Sequence, residues 1–235
     1  MIKLETHCHC KGGSPCGQTP PKKLVEEYKN AGYGGIVLTN HSNEKSYNTY
    51  EGTTHKEKIN FFFSLYEEFE KECVKNGLKA FYGIEVGTTD NNEFMLYGFN
   101  KAFLYDNKPL FYYNQKELFA FAEKHNLFMY QTHPFRDGIS LGNPKLMHGA
   151  ESFNGHYNHF NHNEKAKEFC EKNKLIKISG TDYHIVDEIK TGGIYIPENV
   201  TDVFELTNYI FNNKVQIFEN EEVYKTNLLR VKNKG

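Results

Sequence analysis

The chain has 235 residues, 38% of them hydrophobic and 25% charged, with a formal net charge of −2. That size and balance suit one soluble globular domain able to build its core without disulfides or structural metal, so any metal is free to serve chemistry. There is no basic stripe of the kind a duplex-binding protein carries, so long nucleic acid is not an expected partner.

The five cysteines are odd in number and form no C-x-x-C pair. They argue against a disulfide framework and for a reducing, cytoplasmic setting. Residues 1–6 hold no signal-peptide h-region, and no apolar run is long enough to span a membrane.

In chain order, Ile2 to Thr6 reads as a short strand. Pro20 to Tyr33 follows as an amphipathic helix, with Leu24, Val25, Tyr28 and Ala31 at helical spacing and Pro20-Pro21 at its start. Gly35 to Thr39 is a buried strand, His41 to about His55 a polar loop, and Lys56 to Asn76 a long helix. Leu78 to Val86 and Glu93 to Phe99 read as strands, Asn114 to Lys124 as a helix, and Leu127 to Thr132 as a strand. A loop with Gly and Pro spans Arg136 to His148. A strand (Gly149 to Phe153), a helix (Glu164 to Lys172), two strands (Leu175 to Ser179, Gly193 to Ile196) and a helix (Val203 to Phe211) complete the pattern, before a polar tail after Glu219. No repeat or linker divides the chain. The β-then-α rhythm, with runs apolar on both faces, predicts an α/β fold on a parallel sheet or barrel, a single domain over residues 1–235. The length undershoots the ~250 residues of an eight-fold barrel.

Several strand candidates end alike. Leu4-Glu5-Thr6 runs into His7-Cys8-His9, Val37-Leu38-Thr39 into Asn40-His41, Met129-Tyr130-Gln131-Thr132 into His133, and Ile178-Ser179-Gly180-Thr181 into Asp182-Tyr183-His184; another ends in Gly83-Ile84-Glu85. In an extended chain residues i and i+2 share a face, so His7 pairs with His9 and Asp182 with His184. Parallel α/β folds gather the C-terminal ends of their strands at one mouth. Each piece alone is weak: H-x-H is common, and Glu85 or Asp182 could cap a helix. Their shared topological place points to metal ions held at that mouth. Imidazole with carboxylate suits Zn, Mn or Fe better than Mg or Ca.

The ordered set His7-x-His9, Asn40-His41, Gly83-Ile84-Glu85, Thr132-His133-Pro134, Glu151-Ser152-Phe153-Asn154 and Gly180-Thr181-Asp182-Tyr183-His184 resembles the PHP family of polymerase and histidinol phosphatase domains. The resemblance covers about residues 2–196, leaving 197–235 as a C-terminal helix and tail. It implies a distorted (β/α)7 TIM-like barrel, a centre of two or three divalent metals, and hydrolysis of a small phosphomonoester or phosphodiester by a metal-bound hydroxide. Carried over by position, His7, His9, Glu85 and Asp182 surround one metal. Glu85 bridges to a second with His133, and His41 and His184 hold a third. Three positions depart from the family pattern. Asn40 stands where an aspartate is frequent, Asn100 where Gly-Phe-His is found in some members, and Cys16 where some carry a histidine.

Arg136 is a candidate phosphate clamp, with Lys11 a weaker one. His184 or His41 is the candidate proton donor to the leaving oxygen. Glu151 and Asn154 read as groups that orient ligands, or as turn residues. His156, His159 and His162 read as a loop beside the mouth rather than a second metal site. The alternatives are an amidohydrolase-type C–N hydrolase, which often needs a bridging lysine, and a non-catalytic accessory domain. The sequence leaves the leaving group and the oligomeric state open.

Overall fold

The computed structural model describes residues 1–186 and 190–232. The chain forms β1 (Ile2–Cys8), α1 (Pro21–Asn30), β2 (Gly35–Leu38), a two-residue β3 (His41–Ser42), α2 (Glu44–Thr49), α3 (His55–Asn76), β4 (Lys79–Tyr82) and β5 (Ile84–Gly87). Next come β6 (Glu93–Tyr97), α4 (Lys101–Tyr105), α5 (Gln115–Lys124), β7 (Phe128–Gln131), β8 (Gly149–Asn154), α6 (Asn163–Asn173) and β9 (Ile176–Gly180). β10 (Gly192–Ile196), α7 (Val203–Asn212), β11 (Gln216–Glu219) and α8 (Glu221–Lys232) complete it.

Local chemistry sets the helices. α1 opens on Pro21, whose missing N–H costs nothing in the first turn, and buries Leu24, Val25 and Tyr28. α3 opens on a capping box between Thr54 and Glu57 and ends at Gly77, in the left-handed region with φ 72°. Its buried stripe includes Phe62, Phe63, Phe69 and Cys73. Full burial of a side chain such as Phe69 stabilises the fold by about 1.5–3 kcal/mol.

The strands pair as two sheets, in the orders β11-β10-β1-β2-β4 and β3-β5-β6-β7-β8-β9. The α/β expectation therefore holds, but among the described residues the hydrogen-bonded ladders do not close into a seven-fold barrel, and antiparallel pairs (β1 with β10, β10 with β11, β5 with β6, β6 with β7) interrupt the parallel ones. The run Leu78 to Val86, read as one strand, breaks at Gly83. β4 pairs with β2 in the first sheet and β5 with β3 in the second. A Cβ at Gly83 would lie 2.4 Å from the Tyr97 ring, so the crossing needs glycine. The polar stretch after His41 holds α2, capped by the Asn43 side chain, and the polar tail holds β11 and α8.

The two sheets face a common interior. Leu4, Val37 and Phe81 from the first pack with Met95, Tyr97, Tyr130 and Ile178 from the second. Where the sheets meet, Thr6 Oγ1 donates to the Ser179 carbonyl (2.6 Å) and Gly83 N to the Leu38 carbonyl (2.9 Å). No helix among the described residues is long and apolar enough to cross a membrane.

Candidate metal centre

β1 carries the first donors. Strand alternation turns His7 and His9 to one side, and both are fully buried. Asp182 and His184 follow β9 beside them. Gly180 lets the strand ends approach, since a Cβ there would lie 2.6 Å from that of His7. Glu5 fastens the junction: its Oε1 accepts from the backbone N–H of Thr6, His7 and Thr181, and its Oε2 from the Tyr28 hydroxyl, all at 2.9 Å.

The donor atoms converge. His7 Nε2 lies 3.1 Å from His9 Nε2 and 3.3 Å from both Glu85 Oε2 and Asp182 Oδ1. His9 Nε2 lies 3.4 Å from Glu85 Oε2 and 3.5 Å from Asp182 Oδ1. Glu85 is central: Oε2 is also 2.9 Å from His41 Nδ1, and Oε1 is 3.2 Å from His133 Nε2. Four groupings bring metal-type donor atoms within 4.8 Å of one another: His9, His41 and His184; His7, His9 and Glu85; His7, His133 and Asp182; and Glu85, Glu93 and His133. All seven residues singled out as ligands thus lie in one cluster. His133 and Asp182 reach it with φ of 30° and 56°, a left-handed backbone that costs of order 1–3 kcal/mol in a non-glycine residue.

Surrounding groups fix the rings. His7 Nδ1 lies 2.8 Å from Glu151 Oε1, an acceptor that in the neutral ring places the proton on Nδ1 and the lone pair on Nε2. Glu151 Oε2 accepts from His133 N and Asn154 Nδ2, each at 2.8 Å. His184 Nδ1 lies 2.8 Å from the Asp182 carbonyl, which can only accept, so Nε2 of the neutral ring again carries the lone pair. Asn40 stands behind the centre: its Oδ1 accepts from Cys10 N at 3.0 Å.

Burial opposes charge throughout, and neighbours decide the outcome. Asp182, Glu85 and Glu151 overcome burial at His7 and hold its pKa well above the ordinary imidazole value, and Glu85 and Cys16 do the same for His41. At His9 burial and the charges of His41 and His184 act together and push it well below that value. Despite burial, His7, His41 and His133 hold the Glu85 carboxyl well below the usual carboxylate range, and His7, Arg136 and His184 do so for Asp182.

This donor set fits a cation. His41 Nδ1 and Glu85 Oε2 are close but misaligned for a hydrogen bond, and with His133 Nδ1 they are buried polar atoms without a hydrogen-bond partner. Buried imidazole and carboxylate atoms left in that state are costly unless an ion satisfies them. Above the cluster opens a cavity of about 400 Å³, whose walls include Cys16, Gln18, Arg136 and His156 to His159.

A model of the PHP domain family matches residues 5–222. The chain belongs to this family. The PHP fold seen here is similar to that of a two-domain protein from Bacteroides vulgatus containing a predicted PHP-like metal-dependent phosphoesterase, at 18% identity and a TM-score of 0.67 over 97% of this chain and 69% of that one. It is similar to PsfC from Pseudomonas syringae, at 13% identity and 0.67 over 100% and 99%. It is also similar to endonuclease Q, solved with a 27-mer duplex bearing an abasic lesion, at 12% identity and 0.59 over 92% and 58%. At these identities the likeness is one of fold. No curated protein sequence matches the chain.

Within this PHP domain, some sequence expectations shift. Glu93 was not among the expected ligand positions, yet its Oε2 lies 3.5 Å from His133 Nε2. Asn100 lies away from the centre and caps α4, its side chain accepting from Phe103 N at 2.9 Å. Arg136 borders the cavity, but its Nη2 donates to Asp182 Oδ2 (2.6 Å) and Asn154 Oδ1 (2.9 Å) and its Nε to Asn161 Oδ1 (2.8 Å). Lys11 lines a neighbouring groove instead. His156 and His159 line the cavity, and burial lowers their pKa to about 2 and about 4. His162 faces Asp137, 4.0 Å away. Burial would raise the Cys16 thiol, but hydrogen bonds from His184 and His41 bring it down to about 6.

Proposed function

We propose that this PHP domain hydrolyses a small phosphomonoester or phosphodiester, using two or three divalent ions of Zn, Mn or Fe. The spacing of His7, His9, Glu85 and Asp182 carries the reading. Their five measured separations run from 3.1 to 3.5 Å. The edge of a tetrahedron of ligands ~2.0–2.1 Å from a metal is about 3.3–3.4 Å. These four would hold one ion, Glu85 with His133 and Glu93 a second, and His41 with His184 a third. When bound, the ions supply Lewis acidity, which neutralises phosphate oxygens and makes water nucleophilic near neutral pH.

The chain's own residues supply the rest. Glu151 keeps the His7 lone pair aimed inward. The Asp182 carbonyl does the same for His184, which favours a ligand role over proton donation to the leaving group. Arg136, with Nε and Nη2 already engaged, positions Asp182 and offers substrate only the remainder of its guanidinium. The cavity and the net charge of −2 support a small substrate over a long duplex. No lysine is among the described residues lining the cavity, which counts against an amidohydrolase-type centre with a bridging lysine.

The test is elemental analysis of gently purified protein, with p-nitrophenyl phosphate turnover before and after chelation. The expected result is two or three equivalents of metal and chelator-sensitive turnover, with cyclic amides left untouched. Failure to bind metal on reconstitution, together with no turnover, would favour an accessory domain.

A further inference from the structure

We infer that α8, through Tyr224, positions the wall of the cavity that meets the substrate; the inference rests on the phosphoesterase reading. The family match ends at residue 222, so Tyr224 lies beyond it. Tyr224 is 3% exposed and packs edge-on against Phe153 of β8, with Leu228 completing a small apolar cluster. Its hydroxyl accepts from Asn161 N at 3.0 Å and donates to the His159 carbonyl at 2.9 Å. Both partners belong to the segment 155–162 between β8 and α6, whose residues His156, Tyr157, Asn158 and His159 line the cavity.

Because both bonds are made to main chain, Tyr224 sets the path of this segment rather than the orientation of one side chain. Asn161 carries the connection inward, accepting from Arg136 Nε at 2.8 Å and donating to Asn154 Oδ1 at 2.9 Å. Among the described residues, the other ties of α8 in this region are ion pairs, Lys167–Glu221 at 3.3 Å and Lys225–Glu164 at 3.4 Å. The first is half-buried and the second exposed, and surface pairs of this kind hold little. The buried tyrosine is therefore the anchor, and freeing it lets the segment open locally while the strand-end donors stay in place. Tyr224 is a positioning residue: it reaches catalysis through substrate binding, not through the reacting atoms.

The test compares the full-length wild type with Tyr224→Phe in metal content, p-nitrophenyl phosphate kinetics and amide hydrogen exchange over residues 155–162. Metal content should be unchanged and exchange in the segment faster. KM should rise about tenfold, the low end of what losing two neutral hydrogen bonds can supply, with kcat within about twofold. Leu228→Ala, which loosens the same helix without removing a polar group, should raise KM in the same direction. Unchanged KM in both variants, or a fall in kcat at constant KM, overturns the inference. If the wild type turns over no phosphoester, the function proposed above fails. The exchange measurement then decides the role of α8 alone, and unchanged exchange in Tyr224→Phe overturns it.

Discussion

Asp182→Asn separates holding a metal from holding the fold. Asp182 has φ 56°, and asparagine tolerates that region better than other non-glycine replacements. Its Oδ2 accepts from Arg136 Nη2 at 2.6 Å and Asn154 Nδ2 at 3.2 Å. Both neighbours are donors, so the new amide must set its oxygen there. Its NH2 then falls where Oδ1 now faces His7 Nε2, His9 Nε2 and His184 Nδ1 at 3.3, 3.5 and 3.5 Å. A lone pair becomes a donor that cannot ligate. The bond to Arg136 weakens from charge-assisted to neutral, which costs about 1–2 kcal/mol of stability. Loss of an anionic ligand should cost about 3–4 kcal/mol in the transition state, or 10²–10³ in kcat/KM. The assay is kcat/KM with p-nitrophenyl phosphate beside elemental analysis and a thermal melt. Full metal content with kcat/KM within about threefold of wild type would refute the argument, because Asp182 would then serve only to hold Arg136.

Two other residues give independent checks. Glu5→Ala leaves three backbone N–H groups and the Tyr28 hydroxyl without their buried acceptor, so urea unfolding should show a loss of at least about 3 kcal/mol; Glu5→Gln, whose amide oxygen still serves the three N–H groups, should lose about 1 kcal/mol. Equal losses in the two would mean that packing, not the acceptor, matters at Glu5. For Cys16, hydrogen bonds from His184 and His41 outweigh burial and lower the thiol to about 6 from an ordinary 9.0. The thiolate is the reactive form, so alkylation of metal-free protein should rise through pH 6 and level off above about pH 7. A rate still climbing tenfold per pH unit there would contradict the lowered value.

The centre was legible because each ligand type ends an apolar run, and a parallel strand places that end at the mouth. The same rule explains what was missed. β6 runs antiparallel to β5, with Glu93 opposite Gly87, so it is the start of β6, not its end, that lies at the centre. Glu93 therefore stands outside the pattern, and Asn100, past the other end of β6, lies away from the centre and caps α4 instead. The exchange of sheets at Gly83 was hidden because an uninterrupted apolar run looks the same whether it serves one sheet or two. At six residues α2 is too short to show a helical period, and its signal was the capping Asn43. The engagement of Arg136 depends on Asn154 and Asn161, which only the folded chain brings to it.

His7 lies in β1 of the first sheet and His9 directly follows it, whereas His41, Glu85, His133 and Asp182 come from strands of the second or the turns that follow them. An ion shared among them would thus be a reversible rivet between two separately laddered halves. It would close long loops of chain, as a disulfide would, but could be withdrawn by a chelator. Losing it should loosen the protein unevenly. The first amides to exchange should be those where the halves touch, at Gly83 against Leu38 and at His9 against Tyr183, while the interior of each sheet stays protected.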